Sequence, residues 1–267
     1  MYDYHVHSNY SDGSFLRTMT EAADDAGLEG VGFADHCNVS GDEEIWESKL
    51  VAGFNLDQTY SRRRDAIEAL RDDAAIEIYD AVEMDYEPDE EERIREFLAE
   101  AEFDYALGSV HYLDRGGEYV GVGDDSHAES LSPDERRAFV DDYYDTVADL
   151  IRSELFDVVA HLDFFETSAV LRGHSTTEHY ERVADALEAS RTVPEINAGF
   201  VGEWGDYEEC FPAPEFLDVL LDRGIDVTVG TDSHDPEEFD RRVPKLSDYI
   251  EDRGVDPVSP FDAAEGR

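Results

Sequence analysis

Short apolar runs recur along the chain, and they end in residue types that bind metals. Seven are read as strands: Tyr2–His7, Gly30–Asp35, Ile76–Glu83, Asp104–His111, Phe156–His161, Thr192–Asn197 and Ile225–Thr231. The first ends in His5-Val6-His7, and residues two apart on a strand face the same side, so both imidazoles point one way. The others end in Asp35-His36, Glu83-Met84-Asp85, Ser109-Val110-His111, His161-Leu162-Asp163, Glu195-Ile196-Asn197 and Thr231-Asp232-Ser233-His234. One histidine after one strand is ordinary. Here six of the nine histidines lie at strand ends, with five strands contributing. The other three, His127, His174 and His179, read as surface residues.

Amphipathic stretches fill the intervals: Ser14–Ala26, Leu56–Asp73, Glu90–Ala99, Pro133–Ser153, Thr177–Ala189, Pro214–Asp222 and Pro236–Glu251. Prolines after Ser132 and Asp235 sit in a first helical turn, where the missing N–H costs least. Strand–helix alternation implies a parallel sheet, because parallel neighbours need crossover connections. An open doubly wound sheet and a closed barrel both satisfy it, and both place their sites at the carboxyl ends of the strands. No linker or repeat divides the chain, so residues 1–255 read as a single domain. The tail 256–267 reads as poorly ordered. Three long connections, Cys37–Gly53, Leu113–Leu131 and Ala198–Phe211, read as functional or mobile loops.

Composition narrows the partners. The 68 acidic residues against 21 Lys and Arg give a formal charge of −47. Such a surface repels a nucleic-acid polymer, whose binding needs cations at phosphates. No apolar run is long enough for a membrane span, and no signal peptide opens the sequence. Two cysteines fit a reducing compartment, so the chain is expected to be cytoplasmic. An apolar fraction of 41% argues for a packed core beneath the acidic surface. Acid-rich and lysine-poor, that surface suits molar salt, where the Debye length is about 3 Å, and a halophilic source is expected.

Six imidazoles together with Asp12, Glu83 and Asp232 make nine candidate ligands. An ion takes three or four protein groups, so the set suffices for two or three. Mixed imidazole–carboxylate shells suit Zn²⁺, Mn²⁺ or Fe²⁺ better than Mg²⁺ or Ca²⁺. Cys37 reads as a packing residue beside them. Clustered ions point to hydrolysis, since they lower the pKa of water and stabilise charge developing on an ester.

These residues resemble the motifs of the PHP (polymerase and histidinol phosphatase) family. The matching stretches are His5-Val6-His7-Ser8 through Ser11-Asp12-Gly13, Phe33-Ala34-Asp35-His36, Glu83-x-Asp85, Ser109-Val110-His111, His161-Leu162-Asp163 and Gly230-Thr231-Asp232-Ser233-His234. The resemblance implies an α/β fold, a distorted seven-stranded parallel (β/α)7 barrel with metals at the carboxyl ends of its strands. It further implies that His5, His7, Glu83 and Asp232 hold one ion, with Glu83 bridging to a second on His111 and His161. Asp12, His36 and His234 would hold a third. The segments Asp85–Pro88, Phe103–Asp114 and Leu155–Asp163 are similar to the histidinol-phosphatase branch. That branch has basic residues shortly after its His-x-Asp, where this chain has Glu166 and Thr167, and Arg172 is a candidate substitute for binding phosphate.

The expected activity is therefore phosphomonoester hydrolysis, L-histidinol phosphate to L-histidinol and phosphate, a step of histidine biosynthesis. Asp163 is the candidate acid for the leaving alkoxide, with orientation of a histidine as its alternative role. A rival is a phosphoesterase acting on nucleotides or short oligonucleotides. A rival of another class is a non-catalytic, regulatory metal-binding domain. A dinucleotide oxidoreductase is disfavoured, because no G-x-G-x-x-G follows the first strand.

Overall fold

The computed structural model describes residues 1–199, 207 and 209–261. Ten strands occur among them: β1 (Tyr2–Val6), β2 (Gly30–Phe33), β3 (His36–Cys37), β4 (Glu77–Asp85), β5 (Tyr105–Ser109), β6 (Tyr112–Asp114), β7 (Tyr119–Gly121), β8 (Val158–Val159), β9 (Val193–Asn197) and β10 (Thr228–Gly230). The parallel order is β1-β2-β4-β5-β8-β9-β10, with β3 also on β4. Since β3 resumes β2 after Ala34 and Asp35, the wall has seven strands. It nearly closes: Asp232 N–H donates to His5 C=O at 2.7 Å and His7 N–H to Ser233 C=O at 2.9 Å. The seven-stranded barrel is the fold the sequence led us to expect, and each expected strand has its counterpart in the wall.

Nine α-helices surround the barrel or cap it: α1 (Leu16–Asp25), α2 (Glu43–Ala52), α3 (Leu56–Arg71), α4 (Glu91–Ala101), α5 (Asp125–Ser130), α6 (Pro133–Arg152), α7 (Thr177–Glu188), α8 (Pro214–Asp222) and α9 (Phe239–Arg253), counted among the described residues. The longest, α6, starts at a capping box in which Ser132 and Glu135 satisfy each other's backbone N–H. Its buried Phe139, Val140, Tyr143, Val147, Leu150 and Ile151 recur at helical spacing and join the largest apolar cluster. No helix among the described residues is long and apolar enough to cross a membrane.

Side-chain alternation divides the barrel interior into two levels. On β4, Tyr79 and Ala81 pack in one cluster with Tyr4, Tyr105, Leu107 and Val158, while Glu83 and Asp85 continue the same face upward. On β1 the alternation is broken. Asp3 pairs with Val31 and Val6 with Phe33, so β1 spends one residue more than β2 over this stretch. That bulge lets Tyr2 and Tyr4 fill the lower level and His5 and His7 still reach the upper one. Gly32 makes the lower level possible, because a Cβ there would lie 1.6 Å from the Tyr105 hydroxyl.

Two expectations need correction. The Cys37–Gly53 connection contains α2, capped by Asp42 at its start and by Gly53 at φ 85°. The Leu113–Leu131 connection contains the antiparallel β6–β7 hairpin and α5, the hairpin turning on Gly116 and Gly117, both at positive φ. The elements are short and their turn signals look like loop composition. In the tail, Val258 N–H donates to Val227 C=O, and the Phe261 ring lies 5.1 Å from Tyr79 and 5.6 Å from Tyr105. Residues 256–261 thus close the lower end of the barrel, because an apolar ring finds an aromatic seat there. Residues 262–267 and most of the Ala198–Phe211 connection lie outside the described residues.

Candidate metal centre

The upper level gathers all nine candidate ligands. His5 Nε2 and His7 Nε2 face each other at 3.1 Å, and His7 Nε2 lies 3.0 Å from Asp232 Oδ1. Glu83 Oε2 is 3.5 Å from His5 Nε2 and 3.6 Å from His7 Nε2. Glu83 Oε1 is 2.9 Å from His161 Nε2 and 3.4 Å from His111 Nε2. Asp12 lies 3.3 Å from His234 Nε2 and 3.8 Å from His36 Nε2. His36 stands between two groups, since its Nδ1 is 2.7 Å from Glu83 Oε2. Three clusters emerge, His5-His7-Asp232, His36-Glu83-His111 and His7-Asp12-His36-His234, so His7 and His36 are each shared. The resemblance placed each of them in one group only.

Backbone geometry accounts for how sequence-distant groups converge. Gly230 on β10 approaches β1 and β9 closely, and a Cβ there would sit 2.1 Å from Glu195 Oε1 and 2.4 Å from His5 Cβ. His161 and Asp232 adopt φ of 23° and 54°, a left-handed region costly for residues with a Cβ. Asp232 is a cluster member, and His161 reaches the site through Glu83, whose Oε1 lies 2.9 Å from its Nε2.

The electrostatics follow from burying carboxylates among imidazoles. Burial opposes ionisation of Glu83, but His36, His111 and His5 outweigh it and hold its carboxyl well below the usual range. Asp232 is held down in the same way, His5 and His7 overcoming burial. Burial and the neighbouring His234 and His36 push His7 down to about 4. For His36 burial is outweighed by Glu83 and Asp12, which raise it to about 9. His234 also reaches about 9, burial there yielding to Asp12 and Asp232.

This donor set fits divalent cations. His5 Nε2 and His7 Nε2 face each other at 3.1 Å, and at most one of the two can carry a proton between them, so at least one presents a lone pair to the site. Glu83 Oε2 makes no directed hydrogen bond among the described residues despite its close imidazoles, and His161 Nδ1 makes none either. Buried polar atoms left so are costly, and a shared cation satisfies them together.

Several contributors were missed by sequence reasoning. Glu195 Oε1 lies 2.9 Å from His5 Nδ1, and Asp85 Oδ1 lies 2.7 Å from His111 Nδ1. Each carboxylate orients an imidazole from behind and raises its basicity. Both end strands, and their in-step spacing with Asn197 and Glu83 was the available signal. Arg242 on α9 donates to the carbonyls of Thr231 and Asp232, and nothing in the local sequence marks it.

The clusters open into a cavity of about 1100 Å³ lined in part by Asp12, His36, His111, Asp232, His234 and Arg172. Arg172 donates to the carbonyls of Glu166 and Thr167, at 2.9 and 3.4 Å, and its guanidinium lies over the Tyr207 ring. Asp163 does not line that cavity. The strand β8 ends at Val159, the backbone turns at His161, and residues 164–167 form a 3₁₀ turn. Strand alternation has ended before Asp163, so its place two residues after His161 does not set the side it faces. Its Oδ2 instead accepts from Ala213 N–H at 2.7 Å, and burial pushes its carboxyl up to about 8 despite that bond. His179 also departs from its expected surface role: it is buried against Tyr144 and paired with Asp141.

Known proteins share this fold. A Lactococcus lactis histidinol phosphate phosphatase, solved with Zn, L-histidinol and phosphate, superposes with a TM-score of 0.73 at 22% identity, covering 96% of this chain and 95% of that one. The hisK structure of Listeria monocytogenes gives 0.72 at 17% identity, covering 90% and 98%. In sequence, a Deinococcus radiodurans protein named "Probable histidinol-phosphatase" is 27% identical over 264 residues, 94% of this chain and 93% of its own. Residues 3–199 match the PHP domain. The chain is a member of the PHP domain family.

Proposed function

We propose that this protein is a metal-dependent phosphomonoester hydrolase whose substrate is L-histidinol phosphate. The observation that carries the reading is the single buried carboxylate of Glu83 set among His5, His7, His36, His111 and His161, with Asp12, Asp232 and His234 completing the mouth of one cavity. The nine groups would hold two or three ions of Zn²⁺, Mn²⁺ or Fe²⁺. Bound there, such ions would lower the pKa of water and neutralise charge developing on phosphoryl oxygens. The names of the Lactococcus and Deinococcus relatives support histidinol phosphate as the substrate.

The chain's own residues divide the remaining work. Arg172 presents a guanidinium held by two carbonyls and an aromatic face, with no carboxylate among those contacts, so its positive charge is available for a phosphate in the cavity. The buried Glu166 folds the loop that carries it, accepting from Gly173 N–H at 2.9 Å and Ser175 Oγ at 2.7 Å. Glu195 and Asp85 hold His5 and His111 in one tautomer and direction. Asp163, displaced from the cavity wall, serves as the anchor of the Ala213 segment rather than as the proton donor. The enzyme would be cytoplasmic, a single domain acting on a small phosphorylated molecule, with no long nucleic acid or membrane as partner.

The test is phosphate release from histidinol phosphate beside a panel of 3′,5′-bisnucleotides, on protein whose metal content has been measured. Turnover of histidinol phosphate alone supports the proposal. Turnover of the bisnucleotides alone makes it a nucleotide phosphoesterase, and metal uptake with no turnover of either makes it a binding domain.

A further inference from the structure

Asp12 is carried by a turn rather than by a strand, and it is the most exposed of the nine, with 40% of its side chain accessible. A carboxylate in that position needs its turn fixed from elsewhere. Within the turn, Ser11 N–H and Gly13 N–H both donate to Ser8 C=O, at 3.1 and 2.9 Å, and the following Ser14 N–H donates to His234 C=O at 2.8 Å. The other attachment is Asp35, fully buried. Its Oδ1 accepts from Ser8 N–H at 2.6 Å and Ser11 Oγ at 2.9 Å, and its Oδ2 from Ser8 Oγ at 2.8 Å.

Asp35 is itself held by Arg63 on α3, whose Nη1 donates to Oδ2 at 2.6 Å. Arg63 is also fully buried, and its other edge donates to Asp80 Oδ1 and to Ala81 C=O. Burying an ion pair carries a desolvation cost, and apolar residues fill such a space as well, so packing alone does not explain the pair. Its geometry does. The carboxylate that receives three bonds from the Ser8–Ser11 turn directly precedes His36, and its backbone carbonyl accepts from Glu83 N–H at 3.2 Å. One residue thereby sets the spacing of Asp12 against both His36 and Glu83.

We infer that Asp35, oriented by Arg63, is a positioning residue that fixes Asp12 and so sets the affinity of the ion shared by Asp12, His36 and His234. This rests on the metal reading proposed above. Neither Asp35 nor Arg63 has to meet the substrate for it to hold.

The test counts ions rather than turnover. The full chain is dialysed against Mn²⁺, with dissociation constants resolved per ion and bound Mn²⁺ followed by electron paramagnetic resonance. Ser11→Ala should weaken one ion, the one that Asp12→Ala also weakens, about tenfold and leave the others within about twofold, in the range for loss of an outer partner. Asp35→Asn should weaken the same ion about 100-fold. Ser11→Thr, which keeps the hydroxyl, should restore the wild-type value. Ser11 Oγ also lies 3.4 Å from His7 Nδ1, so an Asp12→Ala background separates the two routes. There Ser11→Ala should add nothing. Unchanged ion affinities in both variants, weakening spread over all ions, or an additive loss in the Asp12→Ala background would overturn the inference. If Asp35→Asn does not fold, Ser11→Ala, on a half-buried turn, still decides. A wild-type chain that takes up no Mn²⁺ or Zn²⁺ is a different result, one that removes the metal reading itself and this inference with it.

Discussion

The two ends of the barrel are built from the same strands and serve opposite purposes. At the lower end, Tyr2, Tyr4, Tyr79 and Tyr105 pack with Phe261, and the Tyr105 hydroxyl donates to Tyr4 C=O at 2.6 Å. At the upper end the strand continuations crowd imidazoles and carboxylates together, and among the described residues some of their atoms find no hydrogen-bond partner. The lower end satisfies itself and therefore stabilises. The upper end does not, and the free energy left unused there is available to a ligand. Replacing residues should separate the two: upper-end changes should alter ion binding and turnover, lower-end changes the stability of the fold.

The largest effect should come from Glu83→Gln. The amide keeps the shape but loses the charge that lies among five imidazoles, so metal affinity and kcat should fall by more than about 100-fold, beyond what loss of an outer partner costs. The metal-free fold should lose stability as well, because the imidazoles that outweigh burial of the carboxylate are left without their counter-charge. Metal analysis with circular dichroism checks both halves. A variant with full metal content would break the division between the two ends.

Next comes pH. His36 and His234 are raised to about 9 by carboxylates that outweigh burial. As free histidines they lend stability that is complete below their unfolded value of about 6.5 and lost as pH rises through about 9. An ion needs the neutral rings, so over the same interval its affinity should climb, by up to about 100-fold per pH unit if both protons are displaced. Metal-free protein should therefore lose Tm between pH 7 and 9 while loaded protein does not, and calorimetry in buffers of different ionisation enthalpy should register proton release. A pH-independent affinity would mean that these two imidazoles are not ligands.

How much of this was legible in the sequence depended on the range of the signal. Helix starts were readable because their causes are local, as in the Ser132–Glu135 box that opens α6. The seven-strand pattern was readable because each strand carries its own polar terminus. The bulge in β1 was not, since it depends on register against β2, and it decides that Tyr4 and His5 both point inward. Arg63 and Glu195 went unassigned because their partners lie 28 and 190 residues away in sequence. The seat of Phe261 was hidden for the same reason, an aromatic cage assembled from three strands. Among the nine ligand positions, the pattern at strand ends indicated convergence without indicating that His7 and His36 are each shared between clusters.

At the lower end, Phe261→Ala should cost about 2 kcal/mol, a large-to-small change at a partly buried site. Denaturant unfolding should show this as a lower midpoint, with metal content and kcat of the folded protein unchanged. A fall in kcat at constant stability would mean that the tail communicates with the mouth, and the two levels would no longer count as separate.

Asp163→Asn has the smallest expected effect and draws the boundary of the upper end most finely. Asp163 belongs to the ligand level by sequence, two residues after His161, yet its partner is Ala213 N–H and it is absent from the cavity wall. Burial raises its folded pKa to about 8 against a model-peptide value near 3.9, so the unfolded chain binds fewer protons between those values. Stability tied to this group is thus full below pH 4 and declines as pH rises toward 8. An amide keeps the acceptor for Ala213 and has no charge to bury, so the variant should be more stable than the wild type at pH 9 and indistinguishable from it at pH 4. If Asp163 is an anchor, kcat stays within about threefold at every pH. If it delivers the proton to the leaving group, kcat falls by the 10²–10⁴-fold that general acid catalysis contributes, and its alkaline limb disappears with it. The two roles predict opposite changes in opposite observables, so one variant measured at two pH values decides on which side of the boundary Asp163 lies.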